Sequence, residues 1–112
     1  MSHPPKLVTV ASLQKMKQNK QPIAMITAYD FPSGQLAETS GADIILVGDS
    51  VGMVVLGYES TVRVTTADMV HHTRAVSRGI TRPLLVADLP FLTYHLSTRD
   101  ALLAAGKLLQ EG

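Results

Sequence analysis

Residues 44–50 read Ile44-Ile45-Leu46-Val47-Gly48-Asp49-Ser50, a run of branched apolar side chains that stops at a glycine and an acid. The same arrangement occurs twice more. Residues 23–28 lead into Tyr29-Asp30, and Leu84–Ala87 leads into Asp88. Continuous Val/Ile/Leu runs mark parallel strands covered on both faces. The C-terminal ends of such strands are where α/β proteins build their sites. An acid at each of these ends points to a carboxylate-lined site suited to a metal ion.

The intervals between the runs read as helices. Thr9 suits the N-cap of a first helix, with Val10, Leu13 and Met16 on one face and Lys15, Lys17 and Lys20 on its solvated remainder. Pro32 suits the first turn of a second helix reaching about Ser40, with Gly41 at its C′ position. The second strand is expected over 43–47. A longer connection with Gly48, Gly52 and Gly57 follows, and its segment 51–56, with Met53, reads as a partly apolar cover over that strand's end. Thr65-Thr66-Ala67-Asp68 is a capping box with Asp in place of Glu, opening a helix that Gly79 closes. Its inward stripe is Met69, Val70, Thr73 and Val76. Pro83 starts the third strand, and Ser97-Thr98-Arg99-Asp100 repeats the capping pattern for a last helix to about Gln110.

The totals are those of a globular protein: 112 residues, 46% apolar, 17% charged, net charge +1 and no cysteine. A near-neutral chain gives no reason to expect nucleic acid or a membrane surface as partner. Without cysteine there is neither a disulfide framework nor a thiolate zinc site. The polar, proline-containing start of the chain lacks the apolar core of a secretory signal, and no apolar run approaches the roughly 20 residues that span a bilayer. The expectation is a soluble, cytoplasmic protein.

Short strands alternating with helices imply βαβ units and a parallel sheet. A doubly wound open sheet and part of a (β/α)8 barrel both fit. A complete barrel takes about 250 residues, so as a barrel the chain stops before halfway. A three-strand piece leaves apolar edges and faces unpaired, which invites association, and the chain reads as a fragment.

Each candidate residue has a bland alternative. Asp49 offers a hard oxygen ligand, with Gly48 giving tight backbone geometry and Ser50 a hydroxyl for a bound anion; equally, Asp49 caps the turn after its strand. Asp88 is flanked by apolar Ala87 and Leu89-Pro90-Phe91, so its charge needs a partner such as a metal or cation; the alternative is a loop cap. Asp30 precedes Phe31-Pro32 and reads better as an N-cap than as a ligand. His71 and His72 lie about 100° apart around one helix and read as packing or hydrogen-bonding residues rather than a metal pair. Arg74 and Arg78, one turn apart, read as solvated or ion-paired. Tyr29 either shapes the pocket or belongs to core or rim. Neither standard phosphate loop is present, nor a Gly-x-Ser-x-Gly elbow, nor His-Glu-x-x-His.

Taken together, Thr27-Ala28-Tyr29-Asp30, residues 47–53 (Val-Gly-Asp-Ser-Val-Gly-Met), residues 56–61 (Leu-Gly-Tyr-Glu-Ser-Thr), residues 69–76 (Met-Val-His-His-Thr-Arg-Ala-Val) and residues 87–91 (Ala-Asp-Leu-Pro-Phe) closely resemble the ketopantoate hydroxymethyltransferases (3-methyl-2-oxobutanoate hydroxymethyltransferases). The order and spacing match over nearly the whole chain. The resemblance implies the N-terminal helix and about the first three βα units of a TIM (β/α)8 barrel of the phosphoenolpyruvate/pyruvate type, with residues 1–112 as part of a single domain. It implies transfer of a one-carbon unit from 5,10-methylenetetrahydrofolate, the co-substrate, onto 3-methyl-2-oxobutanoate. The product is 2-dehydropantoate, on the way to pantothenate. It further implies Mg2+ and a homo-oligomer for the complete protein.

By the same resemblance Asp49 and Asp88 fall on metal-ligand positions, Ser50 on a position contacting the 2-oxo acid, and Asp49 and Asp88 also border that substrate. Magnesium would make the C–H beside the 2-oxo group acidic, and the resulting enolate would attack the one-carbon donor. The family's substrate-binding lysine, third metal-associated glutamate and glutamate base fall beyond Gly112, so no catalytic residue is expected within this chain, which is expected to be inactive alone. Glu111, at a helix end, is not a substitute for either glutamate. Two other readings stand beside this one. One is another magnesium-dependent lyase or mutase acting on 2-oxo acids in the same barrel class. The other is a truncated product that acts only with a complementary segment.

Overall fold

The computed structural model describes residues 6–112; residues 1–5, most of the polar start noted above, lie outside the described residues. Strand β2 (Ile44–Val47) is central, paired in parallel with β1 (Met25–Thr27) on one edge and β3 (Leu84–Ala87) on the other. The register aligns Met25, Ile44 and Leu84, then Ile26, Ile45 and Leu85, then Thr27, Leu46 and Val86. Side chains alternate across a strand, so each aligned row shares one face. Ile45 and Val47 are fully buried beneath the helices. The opposite rows are just as apolar yet open, with Met25 57% and Val86 38% exposed. These strands have the composition of a sheet covered on both faces, and helices cover one of them.

The covering helices are α2 (Phe31–Thr39), α4 (Thr66–Gly79) and α5 (Thr98–Glu111). Their start signals work as the sequence implies. Asp30 caps α2, accepting the Ser33 amide at 2.9 Å, and Thr65 and Asp68 form a reciprocal box at the head of α4. Ser97 accepts the Asp100 amide at the start of α5. Ser33 holds the Asp30 carboxyl below the ordinary carboxylate range, first through its hydroxyl and then through its amide. Gly41 follows α2 with φ +93°. The stripe of α4 is Met69, Val70, Thr73 and Val76, all buried, and packs with Ala37, Ile45, Val47 and Leu108. Arg74 reaches from α4 to the Glu111 carbonyl of α5. Helix α1 (Val10–Gln18) is capped by Thr9, with Ser12 completing the box, but none of its residues is fully buried and Val10 is 69% exposed.

The N-terminal ends of all the strands are tied by one carboxylate. Asp43 accepts the Ala24 amide at 3.0 Å and the Arg82 guanidinium at 2.9 Å. Its own amide donates to the Ala24 carbonyl, and its carbonyl accepts from Leu84. The Ala24 amide and then Arg82 lower the Asp43 carboxyl pKa. Glu38 of α2 joins the same end, accepting the Arg82 amide at 2.8 Å.

Three expectations change. Residues 23–28 shrink to Met25–Thr27: at the start the Asp43 side chain takes the Ala24 amide out of the ladder, while beyond the strand's end the Ala28 amide still donates to the Leu46 carbonyl. The segment 51–56 is not a plain loop: Val51–Val54 form one helical turn, α3, in which Val51 and Gly52 are buried while Met53 is 49% exposed. Gly79 does not terminate α4 in a left-handed conformation but is its last residue, and Ile80 is the extended C-cap. The reason for a glycine is proximity, since a Cβ there would lie 2.6 Å from the Phe31 carbonyl oxygen.

Opposite effects are therefore expected from one substitution at two helical glycines. At Gly79 the obstacle is backbone, so the overpacking cost of about 1–3 kcal/mol exceeds the roughly 1 kcal/mol gain in helix propensity, and Gly79→Ala destabilises. At Gly106 nothing lies within 4 Å of the added Cβ, and Gly106→Ala stabilises by about 0.5–1 kcal/mol. Urea unfolding midpoints of the two variants measure the signs.

A pH dependence follows from Asp43. Its folded pKa is lowered, so its contribution is fully present above the unfolded carboxylate value of about 4 and is lost as pH falls through the lowered pKa. Asp43→Asn is expected to lower the unfolding midpoint at neutral pH, with the gap to the unsubstituted protein closing in acid. A gap independent of pH would contradict the role given to the carboxylate.

Candidate active site

Parallel pairing brings the three strand ends to one side of the sheet, and the residues that follow them converge there. Asp88 continues the ladder beyond β3, its amide donating to the Val47 carbonyl at 3.1 Å. Its carboxylate then reaches across to β2 and accepts the Asp49 amide at 3.0 Å. Asp49 and Asp88 share the lining of a cleft of about 480 Å³ with Ala87, Leu89 and Tyr94. Tyr94 stacks against His95, with centroids 4.1 Å apart, in the β3–α5 connection. In that connection Leu92 holds φ +65°, a left-handed conformation that costs an L side chain about 1 kcal/mol or more.

Gly48 is the hub of this convergence. A Cβ there would stand 3.3 Å from both Asp88 Oδ2 and Ser50 Oγ. Both side chains therefore arch over the same glycine, and any larger residue pushes them apart. Ser50 occupies the N-cap position of α3, yet its side chain makes no capping bond. Its hydroxyl instead meets the Tyr29 hydroxyl at 2.5 Å. The connection after β2 is thus held from both flanks, by Tyr29 on the β1 side and Asp88 on the β3 side.

The structure brings Asp49, Ser50 and Asp88 together and leaves Asp30 apart as a helix cap. It also gives the Asp88 charge a partner that local sequence did not reveal, a backbone amide from the neighbouring strand. His72 Nδ1 lies 2.7 Å from the Tyr29 carbonyl, in keeping with a hydrogen-bonding role, while His71 is exposed. The Tyr29–Ser50 and His72–Tyr29 pairings were not legible beforehand, because they join positions 21 and 43 apart in the chain.

Magnesium is a hard ion usually held by one or two carboxylates, with waters and substrate oxygens completing its shell. Two carboxylates beside one open cleft suit that donor set, and only one oxygen of Asp88 is engaged by the Asp49 amide. Among the described residues no cluster of three or more His, Cys, Asp or Glu forms a fuller cage. The residues present therefore fit part of a magnesium shell completed by other oxygens. Nor is any helix among the described residues long and apolar enough to cross a membrane.

A family model described as ketopantoate hydroxymethyltransferase matches residues 7–112. The chain belongs to the ketopantoate hydroxymethyltransferase family. Among curated relatives named 3-methyl-2-oxobutanoate hydroxymethyltransferase, the protein of Dehalococcoides mccartyi (strain ATCC BAA-2266 / KCTC 15142 / 195) is 59% identical over 104 residues, which is 93% of this chain. That of Geobacillus sp. (strain WCH70) is 60% identical and that of Bacillus subtilis (strain 168) 58% identical, each over 97 residues and 87% of this chain. The chain spans 37% of the length of the first relative and 35% of each of the other two. Within this family the match covers the whole convergence of strand ends described above.

The bond between Asp88 and the Asp49 amide has its own test. Asp88→Ala leaves that amide without its acceptor and is expected to speed its hydrogen exchange, with a loss of about 1 kcal/mol in stability. Asp88→Asn, which keeps a carbonyl acceptor, is expected to preserve most of the protection. Equal protection in all three forms would mean that the bond does not hold the connection.

Proposed function

We propose that the protein carrying this segment is a hydroxymethyltransferase of pantothenate biosynthesis. It moves a one-carbon unit from 5,10-methylenetetrahydrofolate onto 3-methyl-2-oxobutanoate and releases 2-dehydropantoate. The observation that carries this reading is the meeting of Asp49, Ser50 and Asp88 around Gly48 in a chain whose family model matches residues 7–112. On this reading the open apolar face of β1–β3 is the interior of a (β/α)8 barrel, where layers of branched side chains belong. Residues 1–112 then form the first part of that single domain.

In this proposal Asp49 and Asp88 present carboxylate oxygens to Mg2+ and border the 2-oxo acid. Magnesium, when bound, supplies Lewis-acid polarisation of the 2-oxo acid. Asp88 has a second task, because its bond to the Asp49 amide fixes the backbone from which the Asp49 carboxylate projects. Ser50 offers its hydroxyl to the 2-oxo acid from the same side of Gly48. The general base is assigned to a part of the protein outside these 112 residues. A homo-oligomer in the cytoplasm is the proposed working form.

The test is exchange and turnover in the protein at the full length of its relatives. It should exchange the C3 proton of 3-methyl-2-oxobutanoate with solvent deuterium, and chelation of divalent metal should abolish the exchange. Asp49→Asn and Asp88→Ala should each lower kcat/KM by on the order of a hundredfold or more, beyond the ten- to hundredfold typical of residues that merely support a metal ligand. Full turnover in either variant would remove that residue from the site.

A further inference from the structure

We propose that Tyr29 and His72 are positioning residues that aim the Ser50 hydroxyl at the 2-oxo acid. This inference rests on the proposed role of Ser50 and extends it to residues on β1's end and α4 to which no role has been given.

Three features of the structure carry it. First, Ser50 stands where a serine ordinarily caps a helix, but its side chain makes no such bond. The hydroxyl is therefore available for another task, and it faces the same space above Gly48 as Asp88. Second, the Tyr29 hydroxyl meets Ser50 Oγ at 2.5 Å. A phenol O–H is more acidic than an aliphatic alcohol and the better donor, so in the proposed arrangement Tyr29 donates and Ser50 accepts. A hydroxyl has one proton to give. With Tyr29 as donor, the Ser50 proton is not directed at Tyr29, and in the proposed arrangement it points towards an anionic ligand beside Asp88.

Third, Tyr29 is itself fixed through its backbone on both sides. Its amide donates to Ser33 Oγ at 3.2 Å, and its carbonyl accepts from His72 Nδ1 at 2.7 Å. A carbonyl oxygen only accepts, so Nδ1 of His72 carries a proton. The half-buried His72 sits in α4, whose buried stripe Met69, Val70, Thr73 and Val76 anchors it to the core. A continuous chain thus runs from the packed helix through His72 and Tyr29 to Ser50, above Gly48 and beside Asp88. Its effect is pre-organisation: the serine does not have to find its orientation when the ligand arrives.

The experiment is a double-mutant cycle in the protein at the full length of its relatives, read as KM for 3-methyl-2-oxobutanoate with kcat measured alongside. Tyr29→Phe keeps the ring and removes one hydrogen bond. It is expected to raise KM about three- to tenfold, with a smaller change in kcat. In a Ser50→Ala background the same substitution should have no further effect, because its target is gone. His72→Ala should raise KM in the same way, and His72→Asn, which can place an amide N–H near the Nδ1 position, should restore it. A merely structural role would lower the unfolding midpoint without coupling to Ser50. An unchanged KM in Tyr29→Phe, or an undiminished effect in the Ser50→Ala background, overturns the inference while the functional reading stands. Absence of any turnover in the unsubstituted protein overturns the functional reading, and this inference with it.

Discussion

Parallel pairing of β2 with a neighbour on each edge is the constraint from which the rest follows. In a parallel sheet the strand starts lie at one end and the strand finishes at the other. Residues some 40 positions apart, such as Asp49 and Asp88, are thereby brought within one hydrogen bond of each other. No local preference of either segment could achieve that. The pairing also sorts side chains by row, burying Ile45 and Val47 under the helices while leaving Met25 and Val86 open on the other face.

The two ends of this sheet use carboxylates for different purposes. At the starting end Asp43 is surrounded by donors, the Ala24 amide and the Arg82 guanidinium, and its charge is consumed in joining strands. At the finishing end Asp88 gives one contact to a backbone amide and shares with Asp49 an open cleft. A carboxylate whose partners are all internal contributes stability; one that faces a cleft with capacity to spare is available to a ligand. The same residue type is thus assigned opposite work by its surroundings. This division agrees with the behaviour of parallel α/β folds, in which the strand starts support the fold and the strand ends hold the chemistry.

The connection after β2 shows how a short, glycine-containing segment is made rigid. Gly48 permits the approach of Asp88 and Ser50, the Asp49 amide is held from β3, and the Ser50 hydroxyl is held from β1. One turn of helix follows at once, with Val51 fully buried. Each bond is modest by itself, about 1 kcal/mol net. Their combined value lies in removing alternatives, since a loop fixed on both flanks presents its carboxylate and hydroxyl in one arrangement.

The local rules of the chain were legible without coordinates. Apolar runs marked the three strands, Asp30, Thr65 and Ser97 marked helix starts, and the stripe from Met69 to Val76 marked a buried face, because each depends on residues within a few positions of one another. The order of motifs likewise pointed to the family. What the sequence left open is non-local. Gly79 looked like a helix terminator, whereas it answers to the Phe31 carbonyl of a different helix; residues 51–54 looked like loop, whereas burial of Val51 makes them helical. The reach of the Asp88 carboxylate to the Asp49 amide, and the links from His72 to Tyr29 to Ser50, were decided by the tertiary structure alone. The reason is that strand pairing and helix packing set distances between segments remote in sequence, while a sequence pattern carries only the geometry that one segment imposes on itself.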